Sequence, residues 1–183
     1  MIAMDGSESL RQPGFEKVQE LAKNVVSLFK ISKQATHVGL LEFSSEVSRK
    51  LALDKLYEVG QVKNAIDAIE PSGGDATVTD KMLKEAEQVF AAANGGRPDA
   101  TKALVVITDS KSTGKTPLRE AAERLKEKGI RVVVVDIGER TDPRELRDLT
   151  SSDKYVKKAK SPKEAAKLGG EVANSVLKDY KQS

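Results

Sequence analysis

Two runs of apolar residues limit the folds that this chain can adopt. Residues 103–108 and 132–135 carry hydrophobic side chains at almost every position, whereas a strand with one wet face alternates apolar and polar residues. Strands of this kind are covered on both faces, which is typical of parallel sheets flanked by helices. The two runs therefore predict an α/β fold with a mostly parallel sheet.

Helical patterns alternate with predicted strands along the chain. Pro13 suits the first turn of a helix, and the apolar residues that follow recur every three or four positions: Phe15, Val18, Leu21, Val25 and Leu28. Further helices are predicted over residues 59–69, 80–93, 118–125, 143–149 and 162–180, the last with Leu168, Val172, Val176 and Tyr180 inward. The remaining strands are predicted at residues 2–4, 38–43, 47–53 and 155–156.

This order of elements predicts a doubly wound fold. The polar pair Ser44 and Ser45 joins two strands into a hairpin, so one edge strand is antiparallel. We expect a mostly parallel sheet of six strands with helices on both faces, which is a three-layer sandwich. Residues 1–183 contain no linker or internal repeat and are expected to form one domain. Because the first strand is short, we also expect the natural chain to continue upstream of Met1.

Composition excludes several classes of protein. The chain has 183 residues, of which 38% are apolar, enough for a packed core. Lys and Arg number 31 against 28 Asp and Glu, and they are dispersed, so we expect no nucleic acid partner. The apolar runs are too short for membrane insertion, and Asp5 comes too early for a signal peptide. Without cysteine the chain has neither disulfides nor thiolate zinc sites.

Five oxygen-bearing side chains lie near the ends of the predicted strands. Asp5, Ser7 and Ser9 form a D-x-S-x-S motif after the first strand, and Asp109 follows the first apolar run. Thr77 lies in a glycine-relaxed loop that can bend toward the same edge of the sheet. Such sheets bind ligands at the carboxyl ends of their strands, and these oxygens suit a hard cation such as Mg²⁺. The sequence therefore predicts one divalent-cation site.

These segments resemble the von Willebrand factor A domain, which is called the I domain in integrins. The resemblance rests on the D-x-S-x-S motif, on the threonine of the loop 73–79, and on the strand end Val105-Val106-Ile107-Thr108-Asp109. It covers essentially the whole chain.

The resemblance implies an intact metal-ion-dependent adhesion site. In that family the positions of Ser7 and Ser9 ligate the ion directly, and the position of Asp5 usually acts through water. The positions of Thr77 and Asp109 bind directly or through water, depending on conformation. A carboxylate from the partner fills the open coordination position. The implied ion is Mg²⁺, with Mn²⁺ and Ca²⁺ as alternatives.

The implied function is adhesive binding of another protein. The partner presents a Glu or Asp, collagen or another matrix protein being the expected class, and the module belongs to an extracellular matrix or cell-surface protein. The extracellular location rests on the resemblance alone. An intracellular A domain that acts as a scaffold in a multiprotein assembly is the alternative. Residues 138–143 lack the extra helix of collagen-binding integrin I domains, which favours matrix or secreted A domains.

Four residues depart from the family pattern or bear on its conformational switch. Ser110 replaces a glycine that many members have. Glu8, inside the metal turn, either lowers the affinity for an acidic partner or points to solvent, and we favour the second. The last helix of the family slides as the metal site rearranges. Gly169 and Gly170 in the matching helix indicate either close helix packing, which we favour, or a hinge.

Enzyme activity is not expected. Residues 113–116 resemble the end of a phosphate-binding loop, but the first glycine of that motif would have to replace Asp109. An aspartyl-phosphate phosphatase needs a second Asp where this chain has Ser7. His37, the only histidine, is expected on a predicted strand away from the metal loops, in a packing or surface role rather than a catalytic one. A hydrolase is therefore the least favoured class.

Overall fold

The strands of the computed structural model confirm the predicted fold class. The structure describes residues 1–178. Within them the strands are β1 (Ile2–Asp5), β2 (Leu40–Phe43), β3 (Val47–Leu51), β4 (Lys102–Thr108), β5 (Ile130–Ile137) and β6 (Val156–Ala159). They form one sheet in the order β3-β2-β1-β4-β5-β6. All neighbouring pairs are parallel except β2 and β3, which form the predicted antiparallel hairpin.

Helices cover both faces of this sheet. They are α1 (Arg11–Val26), α2 (Val59–Asp67), α3 (Thr79–Val89), α4 (Leu118–Glu127), α5 (Pro143–Leu149), α6 (Pro162–Ala165) and α7 (Gly169–Leu177). Short 3₁₀ turns lie at Ala92–Asn94, Asp153–Tyr155 and Ala166–Leu168. One core packs the sheet against α1, α2, α6 and α7, and the other packs it against α3, α4 and α5. No helix within residues 1–178 is both long and apolar enough to cross a bilayer.

The apolar runs result from this burial on both faces. In β4, Val105 and Ile107 belong to the core beneath α1, whereas Leu104 and Val106 belong to the opposite core. Each of these four side chains is at most 3% exposed. Successive side chains of a strand point to opposite faces, so a strand between two helical layers needs apolar residues at every position.

The end of α1 differs from the prediction. Leu28 was expected on the inward face, but α1 ends at Val26 and Leu28 is 56% exposed. The Ser27 hydroxyl donates to the Lys23 carbonyl oxygen at 2.7 Å, and beyond it Phe29, rather than Leu28, packs against the core. The apolar spacing alone could not locate the end of α1, because the spacing continues to Leu28, beyond the last helical residue.

The last helix is divided. A single helix was predicted over residues 162–180, whereas the structure has α6, a 3₁₀ turn and α7 in succession. Gly169 is buried where α7 crosses α1, and a Cβ there would lie 2.8 Å from the Asn24 Cβ. The close-packing interpretation is thus confirmed for Gly169. Nothing lies within 4 Å of a Cβ at Gly170. Tyr180, predicted to point inward, lies outside the described residues.

The two glycines of α7 therefore predict opposite responses to alanine. We expect Gly170→Ala to raise the free energy of unfolding by up to about 1 kcal/mol, because alanine is the better helix former. Gly169→Ala is expected to lower it, since the new methyl group overlaps Asn24. Urea denaturation of the two variants measures this difference. Equal effects of the same sign would contradict the packing seen at Gly169.

Candidate metal-binding site

The two predicted carboxylates emerge at the same edge of the sheet. Asp5 ends β1 and Asp109 follows β4, and these two strands are parallel neighbours. Asp5 is fully buried and Asp109 is 7% exposed. Parallel pairing thus brings together residues that are far apart in sequence.

The carboxylate of Asp5 organises the turn that follows β1. Its Oδ1 accepts the Ser7 backbone N–H at 2.9 Å, and its Oδ2 accepts the Thr108 hydroxyl at 2.6 Å. Between them Gly6 donates its N–H to the Phe43 carbonyl at 2.9 Å. Asp5 therefore fixes the turn that carries Ser7 and Ser9, and it ties this turn to the end of β4.

A chain of oxygen atoms links the serines to Asp109. The hydroxyl oxygens of Ser7 and Ser9 lie 2.9 Å apart. The Ser9 hydroxyl donates to Asp109 Oδ1 at 2.7 Å, and the Ser110 hydroxyl donates to the same oxygen at 2.6 Å. Ser110, identified from the sequence as a departure, thus takes part in the arrangement.

Thr77 approaches the serines from a separate loop. It is 3% exposed and, with Ser7 and Ser9, lines a cavity of about 530 Å³. Its backbone N–H donates to the Thr113 hydroxyl at 2.9 Å, and its carbonyl accepts the Thr113 N–H at 2.9 Å. The loop after β4 thereby holds the Thr77 loop in place. All five residues predicted from the sequence lie at this edge.

Several residues that support the site were missed from the sequence. Glu42 is 2% exposed in β2 and accepts the Ser72 N–H at 3.1 Å and the Ser72 hydroxyl at 2.6 Å. The sequence did offer a clue to Glu42, since it is the one carboxylate in an otherwise apolar strand. Thr108, the donor to Asp5, could have been suspected from its position beside Asp109. Thr113, the partner of Thr77, had no comparable signal, because loop pairing depends on the tertiary fold.

Asp80 supports the loop after β4 from the first turn of α3. It is 7% exposed, and its Oδ2 accepts the Thr116 N–H at 3.2 Å. A Cβ at Gly114 would lie 1.9 Å from Asp80 Oδ1. The loop therefore passes directly over the Asp80 carboxylate. An aspartate in the first turn of a helix is common, so the sequence did not distinguish it.

The donor set is rich in hydroxyls and poor in carboxylates. Within residues 1–178, no group of three or more His, Cys, Asp or Glu side chains is placed to hold a metal ion. His37 lines a different cavity, of about 430 Å³, that also involves Met1, just before β1. The His37 Nε2 lies 3.0 Å from the Lys33 carbonyl oxygen, and its ring packs edge-on against Tyr57. His37 thus lies at the opposite edge of the sheet, in the loop before β2 rather than on the predicted strand, and it is partly buried.

The pKa of the Asp5 carboxyl group is raised by its burial. Loss of hydration raises the pKa of Asp5, hydrogen bonds from Ser7 and Thr108 oppose this effect, and the negative charge of Asp109 adds to it. Since its folded-state pKa is raised, Asp5 stabilises the fold at low pH, and this contribution is lost as pH rises through the folded-state pKa. A cation at this edge would favour the ionised form.

Stabilisation by a divalent cation is therefore expected to depend on pH. Protons compete with the cation for Asp5, so we expect the Mg²⁺-induced rise in Tm to be larger at about pH 7.5 than at about pH 4.5. Thermal unfolding with and without MgCl₂, at matched ionic strength, measures it. An identical Mg²⁺ effect at both pH values would show that Asp5 is not linked to cation binding.

Comparison with known proteins identifies the family. The family model described as von Willebrand factor type A domain matches residues 1–170. The chain belongs to the von Willebrand factor type A domain family. This A domain is 30% identical to Matrilin-1 of Gallus gallus over 152 residues, 82% of the chain and 30% of that protein. It is 28% identical to the collagen alpha-4(VI) chain of Mus musculus over 152 residues, 83% of the chain and 6% of that protein. The chain thus spans less than a third of these relatives.

A solved structure of similar shape comes from the mussel byssus. Proximal thread matrix protein 1 superposes with a TM-score of 0.90 at 27% sequence identity, covering 95% of this A domain and 46% of the mussel chain. A second structure of that protein, described as having a zinc-occupied MIDAS motif, gives a TM-score of 0.90 at 26% identity, with the same coverage. MIDAS denotes the metal-ion-dependent adhesion site.

Proposed function

We propose that this A domain is a metal-dependent protein-binding module of an extracellular matrix or cell-surface protein. In this proposal Asp5, Ser7, Ser9, Thr77 and Asp109 hold a divalent cation, and a Glu or Asp of the protein ligand completes its coordination. The observation that carries the proposal is the continuous set of oxygens from Ser7 through Ser9 to Asp109 beside an open cavity. It supports Mg²⁺ first, with Mn²⁺ and Ca²⁺ as alternatives.

The spacing of these oxygens supports a small hard cation. Adjacent ligands in an octahedron with bonds of about 2.1 Å are about 3.0 Å apart. The observed separations of 2.9 Å between Ser7 and Ser9 and 2.7 Å between Ser9 and Asp109 are close to this value. The oxygens could therefore become neighbouring ligands without a change of backbone, by rotating hydroxyl hydrogens away from one another.

The charge of the donor set supports capture of an acid. Ser7, Ser9 and Thr77 offer neutral hydroxyls, so only Asp5 and Asp109 oppose the charge of a cation. Hydroxyl ligands withdraw little positive charge from a divalent ion, and an incoming carboxylate makes a strong, charge-assisted contact. A site of this composition favours holding a ligand over activating water, since the one histidine lies at the opposite edge.

The relatives support a place in a matrix. They include matrilins, a collagen chain and a thread matrix protein, and one structure of the latter is described as having a zinc-occupied MIDAS motif. We therefore propose an extracellular location and a matrix protein such as collagen as the ligand.

A binding screen tests the proposed function. The A domain is immobilised and exposed to purified collagens and other matrix proteins in Mg²⁺, in Mn²⁺ or in EDTA. We expect at least one ligand to bind in the cations and to be released by EDTA. Binding that is equally strong in EDTA would contradict metal dependence, and Mg²⁺-dependent turnover of phosphate esters would favour a hydrolase instead.

A further inference from the structure

The charges around the metal-site cavity are unevenly distributed along the edge of the sheet. Lys111 follows β4 and Arg140 follows β5, and both line the cavity. Glu8 and Asp75 line the cavity too. The Glu8 N–H donates to the Gly74 carbonyl at 3.0 Å, next to Asp75 in sequence. Asp75 in turn accepts from Ser45, which follows β2, at 3.4 Å.

The strand order places the acidic and the basic side chains at opposite ends of the cavity. Since β2, β1, β4 and β5 are successive neighbours, Glu8 and Asp75 lie toward the β2 end of the cavity. Lys111 and Arg140 lie toward its β5 end. We call these the acidic end (Glu8 and Asp75) and the basic end (Lys111 and Arg140). Four of the five predicted cation ligands end or follow β1 or β4, between the two ends, whereas Thr77 shares its loop with Asp75.

The basic end is available to a ligand. Lys111 and Arg140 are exposed at the cavity. Lys111 forms an ion pair with Asp142 at 3.7 Å, and Glu145 lies close by, accepting the Ser112 N–H at 2.9 Å. Arg140 makes no salt bridge among residues 1–178. Arg11 also lines the cavity, but on the side of Glu8, whose carbonyl accepts the Arg11 N–H at 3.1 Å. The φ of Arg11, 52°, is a left-handed conformation that few non-glycine residues adopt.

We propose that Lys111 and Arg140 determine ligand specificity by binding a second acidic side chain, next to the one that completes the metal coordination. This inference rests on the proposed function and deepens it. The ligand is a polypeptide segment with at least two acidic residues, and it crosses the edge with its more acidic part toward β5. A uniformly anionic polysaccharide fits less well, because Glu8 and Asp75 would repel its other end.

Selection from a peptide library displayed on phage tests this specificity. Phage are bound to the immobilised A domain in Mg²⁺ and eluted with EDTA, so that only metal-dependent binders are sequenced. For the unmodified domain we expect enrichment of a second Asp or Glu beside the first. For Lys111→Glu combined with Arg140→Glu, we expect this enrichment to be lost and Lys or Arg to be favoured. A selected acidic peptide is expected to bind the double variant about tenfold more weakly.

Matched controls separate specificity from folding and from net charge. Lys81→Glu with Lys115→Glu makes the same change in net charge at exposed lysines outside the cavity lining, and we expect it to select the same acidic peptides as the unmodified domain. The Mg²⁺-induced rise in Tm is expected to persist in both double variants, because neither changes a predicted cation ligand.

The outcomes distinguish the two proposals. Failure to recover any EDTA-eluted peptide from the unmodified domain would overturn the proposed function and this inference with it. EDTA-eluted peptides with a single acid, or an unchanged preference in the cavity variant, would overturn the inference alone. Binding of heparin that persists in EDTA and depends on Lys111 would assign the basic end to a polysaccharide and would also overturn it.

Discussion

Asp109→Ala is expected to abolish the stabilisation of the domain by Mg²⁺ and its cation-dependent binding of protein ligands. A ligand that binds only the folded state stabilises it by mass action, by about 2.7 kcal/mol at a concentration of 100 times Kd. Asp109 contributes one of the two carboxylates near the predicted ion, and it accepts hydrogen bonds from the hydroxyls of Ser9 and Ser110. Removing Asp109 leaves Asp5 as the one predicted ligand whose negative charge can balance the charge of the cation.

The same substitution is expected to leave the fold intact in EDTA. The hydroxyls of Ser9 and Ser110 lie 3.1 Å apart and can pair with each other when the carboxylate is removed, so we expect a loss of only about 1 kcal/mol. Calorimetry in EDTA and in millimolar Mg²⁺ measures both effects. Asp153→Ala removes the same charge at an exposed position before β6 and serves as the control. An Asp109→Ala variant that Mg²⁺ still stabilises fully would disprove the role assigned to this carboxylate.

Gly6→Ala is expected to cause the largest loss of stability of the glycine substitutions proposed. A Cβ at this position would lie 2.0 Å from Glu42 Oε1 and 2.8 Å from its Cδ. Glu42 is 2% exposed and accepts two hydrogen bonds from Ser72, so a shift of its carboxylate breaks them. We expect a loss of about 2 to 4 kcal/mol, because the new methyl group displaces a buried, hydrogen-bonded carboxylate.

A double-mutant cycle tests the cause of this loss. Glu42→Ala removes the overlapping side chain, so Gly6→Ala is expected to cost at least 1 kcal/mol less in that background. Gly60→Ala is the matched control, since nothing lies within 4 Å of a Cβ at that position in α2. Denaturant titrations of the single and double variants provide the free energies. A Gly6→Ala variant as stable as Gly60→Ala would rule out the close contact with Glu42.

The sheet was predictable because burial on both faces leaves a simple pattern. Residues 103–108 and 132–135 show it directly, and parallel pairing then places Asp5 and Asp109 at one edge without further information. The hairpin of β2 and β3 was equally predictable, since a short polar turn allows only an antiparallel return. These inferences depend on local pattern and chain order, which the sequence contains.

The remaining features depend on contacts between distant segments. The break in the last helix occurs where Gly169 meets Asn24, and no local pattern in either segment indicates the other. Glu42 depends on Ser72 in the same way. The basic end of the cavity appears only once β4 and β5 are known to be neighbours, because Lys111 and Arg140 lie 29 positions apart (140 minus 111) in the sequence.

The charges on the two outer strands affect how copies of the domain can pair with one another. An outer strand presents unpaired backbone groups to which another chain can add. Here β3 carries Arg49 and Lys50, and β6 carries Lys157 and Lys158. Aligning either strand with a copy of itself would bring like charges together, which disfavours sheet extension. The sheet of one copy is therefore protected against edge-to-edge pairing with the sheet of another.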